Sequence, residues 1–280
     1  MDMNIEKLVE QITREVIAKL GVPSPASPGD GMVVPAGTKV TAKEIAKMID
    51  HSLLRPDMTR QEVVDGCLIA KEFDCATVCV KPCDVTVARD VLRGSDVLVT
   101  TVIGFPHGHH LTEVKLLEAE KAISQGCKEL DLVQNIGRLK SGDYDLVEED
   151  IRRVCQASHR RGVIVKVILE NAYLTDEEKR RACEICERAG ADFVKTSTGY
   201  AKSGATIHDL KIMRAACSAK VRVKAAGGVR TLDGALAVRA VGGTRFGATA
   251  TQKIMEEAFA REREGTLRIP DSVKELTSGY

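Results

Sequence analysis

The sequence predicts an α/β chain closed into a (β/α)8 barrel, carried behind a short amphipathic helix and a flexible linker. Three observations make that prediction. From residue 38 onward, eight short apolar runs rich in β-branched residues alternate with amphipathic stretches. Those eight alternations occupy about 240 residues, the span of one closed TIM-type barrel rather than an open doubly wound sheet. No G-x-G-x-x-G motif follows the first run, which argues against a dinucleotide-binding fold.

The elements follow in order. Residues 1–21 place Ile5, Leu8, Val9, Ile12, Val16, Ile17 and Leu20 at helical spacing, with Glu6, Lys7, Glu10, Arg14 and Lys19 between them. Gly21 and Pro23 stop that helix. Residues 22–38 are rich in Pro, Gly, Ser and Ala and read as a flexible linker. The apolar stripe of the helix must be covered, either by the chain's own barrel or by a groove on another protein. Charges interrupt the apolar residues, so the segment is neither a signal peptide nor a membrane span. Residues 39–280 form the barrel and its C-terminal tail. Strands are expected at Ile49–Leu54, Ala76–Val80, Val97–Phe105, Glu129–Asn135, Val163–Glu170, Phe193–Thr198, Val221–Ala226 and Arg245–Thr249. Helices between them include Leu111–Ser124, Val147–His159, Asp176–Ala189 and Ile207–Ala216.

Composition excludes some partners. A net charge of +1 gives no electrostatic reason to expect nucleic acid or an anionic membrane, and 3% aromatic residues leave no stacking platform for bases. Nine cysteines, an odd number in a long chain, suggest reduced thiols in a bacterial-type cytosol. Cys183 and Cys186 form a C-x-x-C inside a helical pattern, with no second pair at zinc spacing, and read as buried small hydrophobes.

In such barrels chemistry sits at the carboxyl ends of the strands. Lys166, Lys195 and Lys224 lie inside the fifth, sixth and seventh apolar runs, where an ammonium is costly unless paired or used. One reading makes each a structural ion-pair partner. The chemical reading needs one of them uncharged, because an ordinary lysine is only about 0.04% neutral at pH 7 and only the neutral amine attacks a carbonyl. Partial burial and a second ammonium on the next strand lower that barrier to deprotonation, and Lys195 with Lys224 is such a pair. Asp131, in the fourth run, is a carboxylate placed to carry protons and to pair with Lys166, and both can hold at once because the ion pair would position it; Asp50, in the first, is a second inward candidate.

Phe193-Val-Lys-Thr-Ser-Thr-Gly-Tyr200 resembles the Schiff-base signature of the 2-deoxyribose-5-phosphate aldolases. The likeness extends through Asp50-His-Ser-Leu-Leu-Arg-Pro56, Val78-Cys-Val-Lys-Pro82, Thr101-Val-Ile-Gly-Phe-Pro-His-Gly108, Glu129-Leu-Asp131, Val165-Lys-Val-Ile-Leu-Glu170, Lys224-Ala-Ala-Gly-Gly-Val-Arg-Thr231 and Arg245-Phe-Gly-Ala248. The resemblance implies a class I aldolase with no cofactor and no metal, acting on a phosphorylated sugar and acetaldehyde. In it, Lys195 forms the imine, Asp131 shuttles protons through a water, Lys224 tunes Lys195, and Asp50 and Lys166 complete the network. A related Schiff-base aldolase with another acceptor, or a phosphate-binding barrel without catalysis, would share part of this pattern.

Gly199, Gly204, Gly227, Gly228, Gly247 and Thr249 follow the last three strands and suit the phosphate cradle usual in these barrels, although each glycine alone is also a turn residue. Ser52 and Thr198 join them as candidate substrate contacts. Lys81, Arg55, Thr249 and Ala250 depart from the family's commoner residues, and the terminal Tyr280 resembles a mobile tail tyrosine that reaches the site in some members. His107, His109 and His110 fall close together and invite a zinc reading, which would leave Lys195 without a purpose. Residues 1–21 resemble the encapsulation peptides of bacterial microcompartments, implying shell or cargo proteins as partners. The family likeness also implies a homodimer.

Overall fold

The computed structural model describes residues 32–276. The expected docking helix at 1–21, the first part of the linker, and Ser278–Tyr280 of the expected tail lie outside them. Eight parallel strands form the barrel: β1 (Ile49–Leu53), β2 (Thr77–Val80), β3 (Leu98–Ile103), β4 (Glu129–Val133), β5 (Ile164–Ile168), β6 (Phe193–Lys195), β7 (Arg222–Ala225) and β8 (Gly243–Ala248). Each pairs with its successor and β8 closes onto β1 through Ile49–Phe246, Asp50–Gly247 and His51–Ala248. The expected runs overshoot most strands at their carboxyl ends. Residues such as Phe105, Asn135 and Thr198 lie past the ladder, where the chain turns outward into loops. β8 instead begins two residues before the expected Arg245, because Gly243 and Thr244 carry no apolar signal.

Helices α1 (Ala42–Ala46), α2 (Arg60–Glu72), α3 (Val85–Val91), α4 (Thr112–Ser124), α5 (Ile136–Lys140), α6 (Tyr144–His159), α7 (Asp176–Arg188), α8 (Ile207–Ala216), α9 (Leu232–Ala240) and α10 (Thr251–Arg263) surround the barrel. Thr41, Thr59 and Thr175 start α1, α2 and α7 with reciprocal caps, each hydroxyl accepting from the amide of a glutamate whose carboxylate accepts from the threonine amide. α1 and α5 are barely more than one turn, too short for periodicity to reveal.

The apolar core lies between strands and helices, where Val78, Leu130, Val165, Val194 and Val223 on the strands and Val63, Ile151, Ile185, Leu210 and Ile254 on the helices are fully buried. Strand alternation sends the other residues inward. In most barrels that interior is packed with Val, Ile and Leu; here Asp50, Asp131, Lys166, Lys195 and Lys224 occupy it. Cys183 and Cys186 are wholly buried in α7, and burial raises the Cys186 thiol well above its usual range, as expected of inert packing cysteines.

The tether ends earlier than its composition indicated. The Val34 amide donates to the Ala240 carbonyl at 3.3 Å and the Gly37 amide to that of Ile269 at 2.9 Å. Lys39 pairs with Arg268, so this stretch is tied to the C-terminal segment instead of hanging free. That segment is itself anchored by buried Leu267, Ile269 and Leu276.

Candidate active site

Lys195 closes β6 and lies beside Lys224 of β7 in the parallel register. Both ammonium groups are buried, and both donate to the same oxygen, Oδ2 of Asp131, at 2.6 and 2.8 Å. Lys166 of β5 takes the other oxygen, Oδ1, at 2.9 Å. Asp131 is thus held by three lysines, where the sequence suggested one. Lys224 also pairs with Asp50, and Lys166 lies 2.6 Å from Glu129 and 3.6 Å from Asp50. Arg245 of β8 closes the network, donating to Asp50 at 2.6 Å and to the two oxygens of Glu129 at 3.1 and 3.2 Å.

These distances set the protonation states. Burial alone would raise the Asp131 and Asp50 carboxyls, but the surrounding lysines, with Arg245 at Asp50, outweigh it and hold both far below the usual range. Burial lowers all three lysines; for Lys166 and Lys224 the carboxylates more than reverse it, so both stay charged. Lys195 differs. Burial lowers it, Asp131 only partly compensates, Lys224 lowers it further, and the net direction is downward. Cys79 has Sγ 4.0 Å from Asp131, and burial pushes its thiol up to about 11, so it stays protonated at neutral pH.

Lys195 and Lys224 open into a cavity of about 460 Å³ at the carboxyl end of the barrel, together with Asp50 and Cys79. Ser52, Thr198, Gly199, Gly227, Gly228, Gly247 and Thr249 are in its wall. Three other expected site residues are not. Asp131 and Lys166 lie buried in the barrel interior outside the cavity lining, with Asp131 bonded to the two lysines that do line it. Gly204 also stands outside the lining; a Cβ there would come within 2.7–2.8 Å of the Gly227 backbone, so glycine lets the two loops touch. Gly227 and Gly228 have φ of 76° and 90°, a turn that L side chains rarely adopt, and this exposes the backbone of the loop after β7 to the cavity.

Several residues escaped the sequence reading. Glu129 and Arg245 belong to the buried network, and their signal was available: Glu129 is two residues before Asp131, hence on the same inward face. Glu170 sits in the left-handed region at φ 56°, buried, and accepts from the Thr198 amide at 3.2 Å and from its hydroxyl. Tyr200 reaches across the mouth, its hydroxyl donating to the Leu54 carbonyl at 2.8 Å while its ring meets Phe105 edge-on at 5.6 Å. No spacing rule says where such loop residues will point. The charge of Lys81 is answered by Asp84 at 3.5 Å and the Met58 carbonyl at 3.1 Å. His107, His109 and His110 stack ring on ring at 5.4 and 5.2 Å.

A buried amine of lowered basicity, a carboxylate sharing protons with it, and a glycine-rimmed pocket together suit imine chemistry on a small anionic aldehyde. Comparison with known proteins points the same way. The profile of the family described as DeoC/LacD family aldolase matches residues 44–256. A deoxyribose-phosphate aldolase of Thermoanaerobacter sp. is 51% identical over 214 residues, covering 96% of that protein and 76% of this chain. One from Caldanaerobacter subterraneus is 49% identical, with 93% and 76% covered. The tetrameric deoxyribose phosphate aldolase structure from Aeropyrum pernix superposes with a TM-score of 0.72 at 28% identity, covering 92% of that chain and 78% of this one.

Proposed function

This chain belongs to the DeoC/LacD family of aldolases, and from that premise we propose that it is a class I deoxyribose-phosphate aldolase whose imine forms on Lys195. It cleaves 2-deoxy-D-ribose 5-phosphate reversibly to acetaldehyde and D-glyceraldehyde 3-phosphate. The carrying observation is the Lys195 amine, buried yet at the cavity wall, lowered in basicity, 2.6 Å from a carboxylate it shares with Lys224.

The chemistry follows from those positions. The neutral Lys195 amine adds to the aldehyde carbon of the open sugar, and loss of water leaves an iminium. Loss of the C3 hydroxyl proton breaks the C2–C3 bond; its electron pair passes into the iminium, giving an enamine and releasing glyceraldehyde 3-phosphate. Protonation of the enamine carbon and hydrolysis then free acetaldehyde and the amine. Lys195 and Lys224 meet on one oxygen of Asp131, so a proton can pass between the two nitrogens across that carboxylate. The glycine turns after β6 and β7, with Thr249 opening toward α10, offer backbone donors to the phosphate.

Residues 1–21 address the enzyme to a protein-shelled compartment in the cytoplasm through shell or cargo proteins. This rests on the amphipathic pattern and its Pro/Gly-rich tether, and on the family match beginning only at residue 44. A shell of that kind would retain volatile acetaldehyde. The homodimer rests on the resemblance alone.

Reduction with borohydride in the presence of acetaldehyde tests the reaction. It is expected to leave an N-ethyl group on Lys195 and on no other buried lysine, and Lys195→Leu is expected to lose at least about a thousandfold in turnover. Cleavage persisting at the parent rate in that variant would reject the imine route.

A further inference from the structure

The interior of the barrel holds an unequal number of charges. Members of the ion-paired network are Asp50 on β1, Glu129 and Asp131 on β4, Lys166 on β5, Lys195 on β6, Lys224 on β7 and Arg245 on β8. That is four cations against three carboxylates. β2 contributes the Cys79 thiol, and β3 only the Thr100 hydroxyl, 3.4 Å from Glu129. Arg222 stacks on the Phe193 ring at 4.0 Å, and Glu170 with His107 stands in the loops above. A buried cluster is cheapest when its charges cancel, since each uncompensated ion keeps several kcal/mol of desolvation. Cancellation here requires one cation to give up its proton.

We propose that Arg245, which stands outside the cavity wall and two strands from Lys195, is the positioning residue that weakens the hold of Lys195 on its proton, by supplying the fourth cation of the network and pairing with Asp50 and Glu129. The inference deepens the imine reading of Lys195 and rests on it for its catalytic meaning.

Geometry makes Lys195 the member that yields. Arg245 takes one oxygen of Asp50 and both of Glu129, the carboxylates that Lys224 and Lys166 also pair with. Each of these lysines therefore has a carboxylate besides Asp131: Lys224 pairs with Asp50, and Lys166 lies 2.6 Å from Glu129 and 3.6 Å from Asp50. Lys195 has Asp131 as its one ion-pair partner and must share Oδ2 with Lys224. Arginine suits the post because its guanidinium does not deprotonate at any working pH. Without it, three lysines would face three carboxylates, the charges would cancel with every ammonium kept, and Lys195 would keep its proton.

The test is the titration of Lys195 itself, read from trace acylation by acetic anhydride across pH and mass spectrometry of the Lys195 peptide. This readout does not depend on aldol turnover. Arg245→Gln is expected to move the midpoint up by about one pH unit. Arg245→Lys, which keeps the charge, is expected to stay near the parent. Glu129→Gln, which removes an anion, is expected to move it down. A midpoint in Arg245→Gln equal to or below the parent's overturns the proposal. If that variant does not fold, Glu129→Gln decides by itself, and an unmoved or higher midpoint there is equally fatal. Failure of borohydride trapping with these shifts intact would sink the aldolase reading and leave the electrostatic one standing.

Discussion

Lys195, Lys224 and Asp131 show how a side chain's neighbours decide its chemistry. The three lysines of the interior share a residue type and nearly the same burial, yet only Lys195 is driven toward its neutral form, because only Lys195 has a single carboxylate and shares it. The acid limb of turnover should therefore rise as pH climbs through the lowered pKa of Lys195, since the reactive species is the deprotonated amine. Gly204 makes a different point. Adding a methyl group there drives it into the Gly227 backbone, and overpacking of backbone costs about 1–3 kcal/mol. Gly204→Ala is expected to raise KM for the phosphorylated sugar by roughly tenfold, with acetaldehyde trapping on Lys195 much less affected. An unchanged KM would mean that the loop contact does not shape the pocket.

Between elements, one titratable tether joins β1 to α10. His51 points away from the barrel interior, is 4% exposed, and its Nδ1 lies 2.8 Å from the Thr251 hydroxyl at the start of α10. Burial holds it at about 4, against 6.5 in an exposed chain, so it is neutral in the folded state. A folded-state value below the unfolded one means the unfolded chain binds the proton first. Stability should be fully present above pH 6.5 and fall as pH drops toward 4, by roughly 3 kcal/mol at most. His159, raised by its bond to Asp192 against the effect of burial, contributes in the opposite direction. Comparing His51→Gln with the parent at pH 7 and pH 5 cancels that term. The variant is expected to show a smaller drop in melting temperature between the two; an equal drop would remove His51 as the cause.

Across the whole chain, the residues that build the site run from Asp50 to Thr249, and the family match from 44 to 256. Residues 1–31 lie outside that family match. Deleting them is expected to leave kcat and the melting temperature of the barrel essentially unchanged, while fusing them to a fluorescent protein should concentrate it in assembled shells. A lower melting temperature after deletion would favour the competing arrangement, in which the helix covers its stripe on its own barrel. Diffuse fluorescence beside assembled shells would reject the address.

The alternation of apolar runs and amphipathic stretches was enough to specify eight strands, their order and their closure, because both periodicities are local properties of the chain. The lysines in strands were equally plain, since an ammonium in an apolar run has few explanations. What the sequence could not decide was the division of charge among them. It paired Asp131 with Lys166, a pair the structure contains, but the closed barrel adds Lys195 and Lys224 to the same carboxylate and brings four strands' worth of cations to three carboxylates. Glu129 and Arg245, 116 residues apart, meet only because the eighth strand returns to the first. Likewise the close approach of Gly204 to the Gly227 backbone is visible only in the folded chain. Partnership across a barrel depends on register and shear, which no single segment carries, and the protonation of Lys195 is a property of that assembled interior.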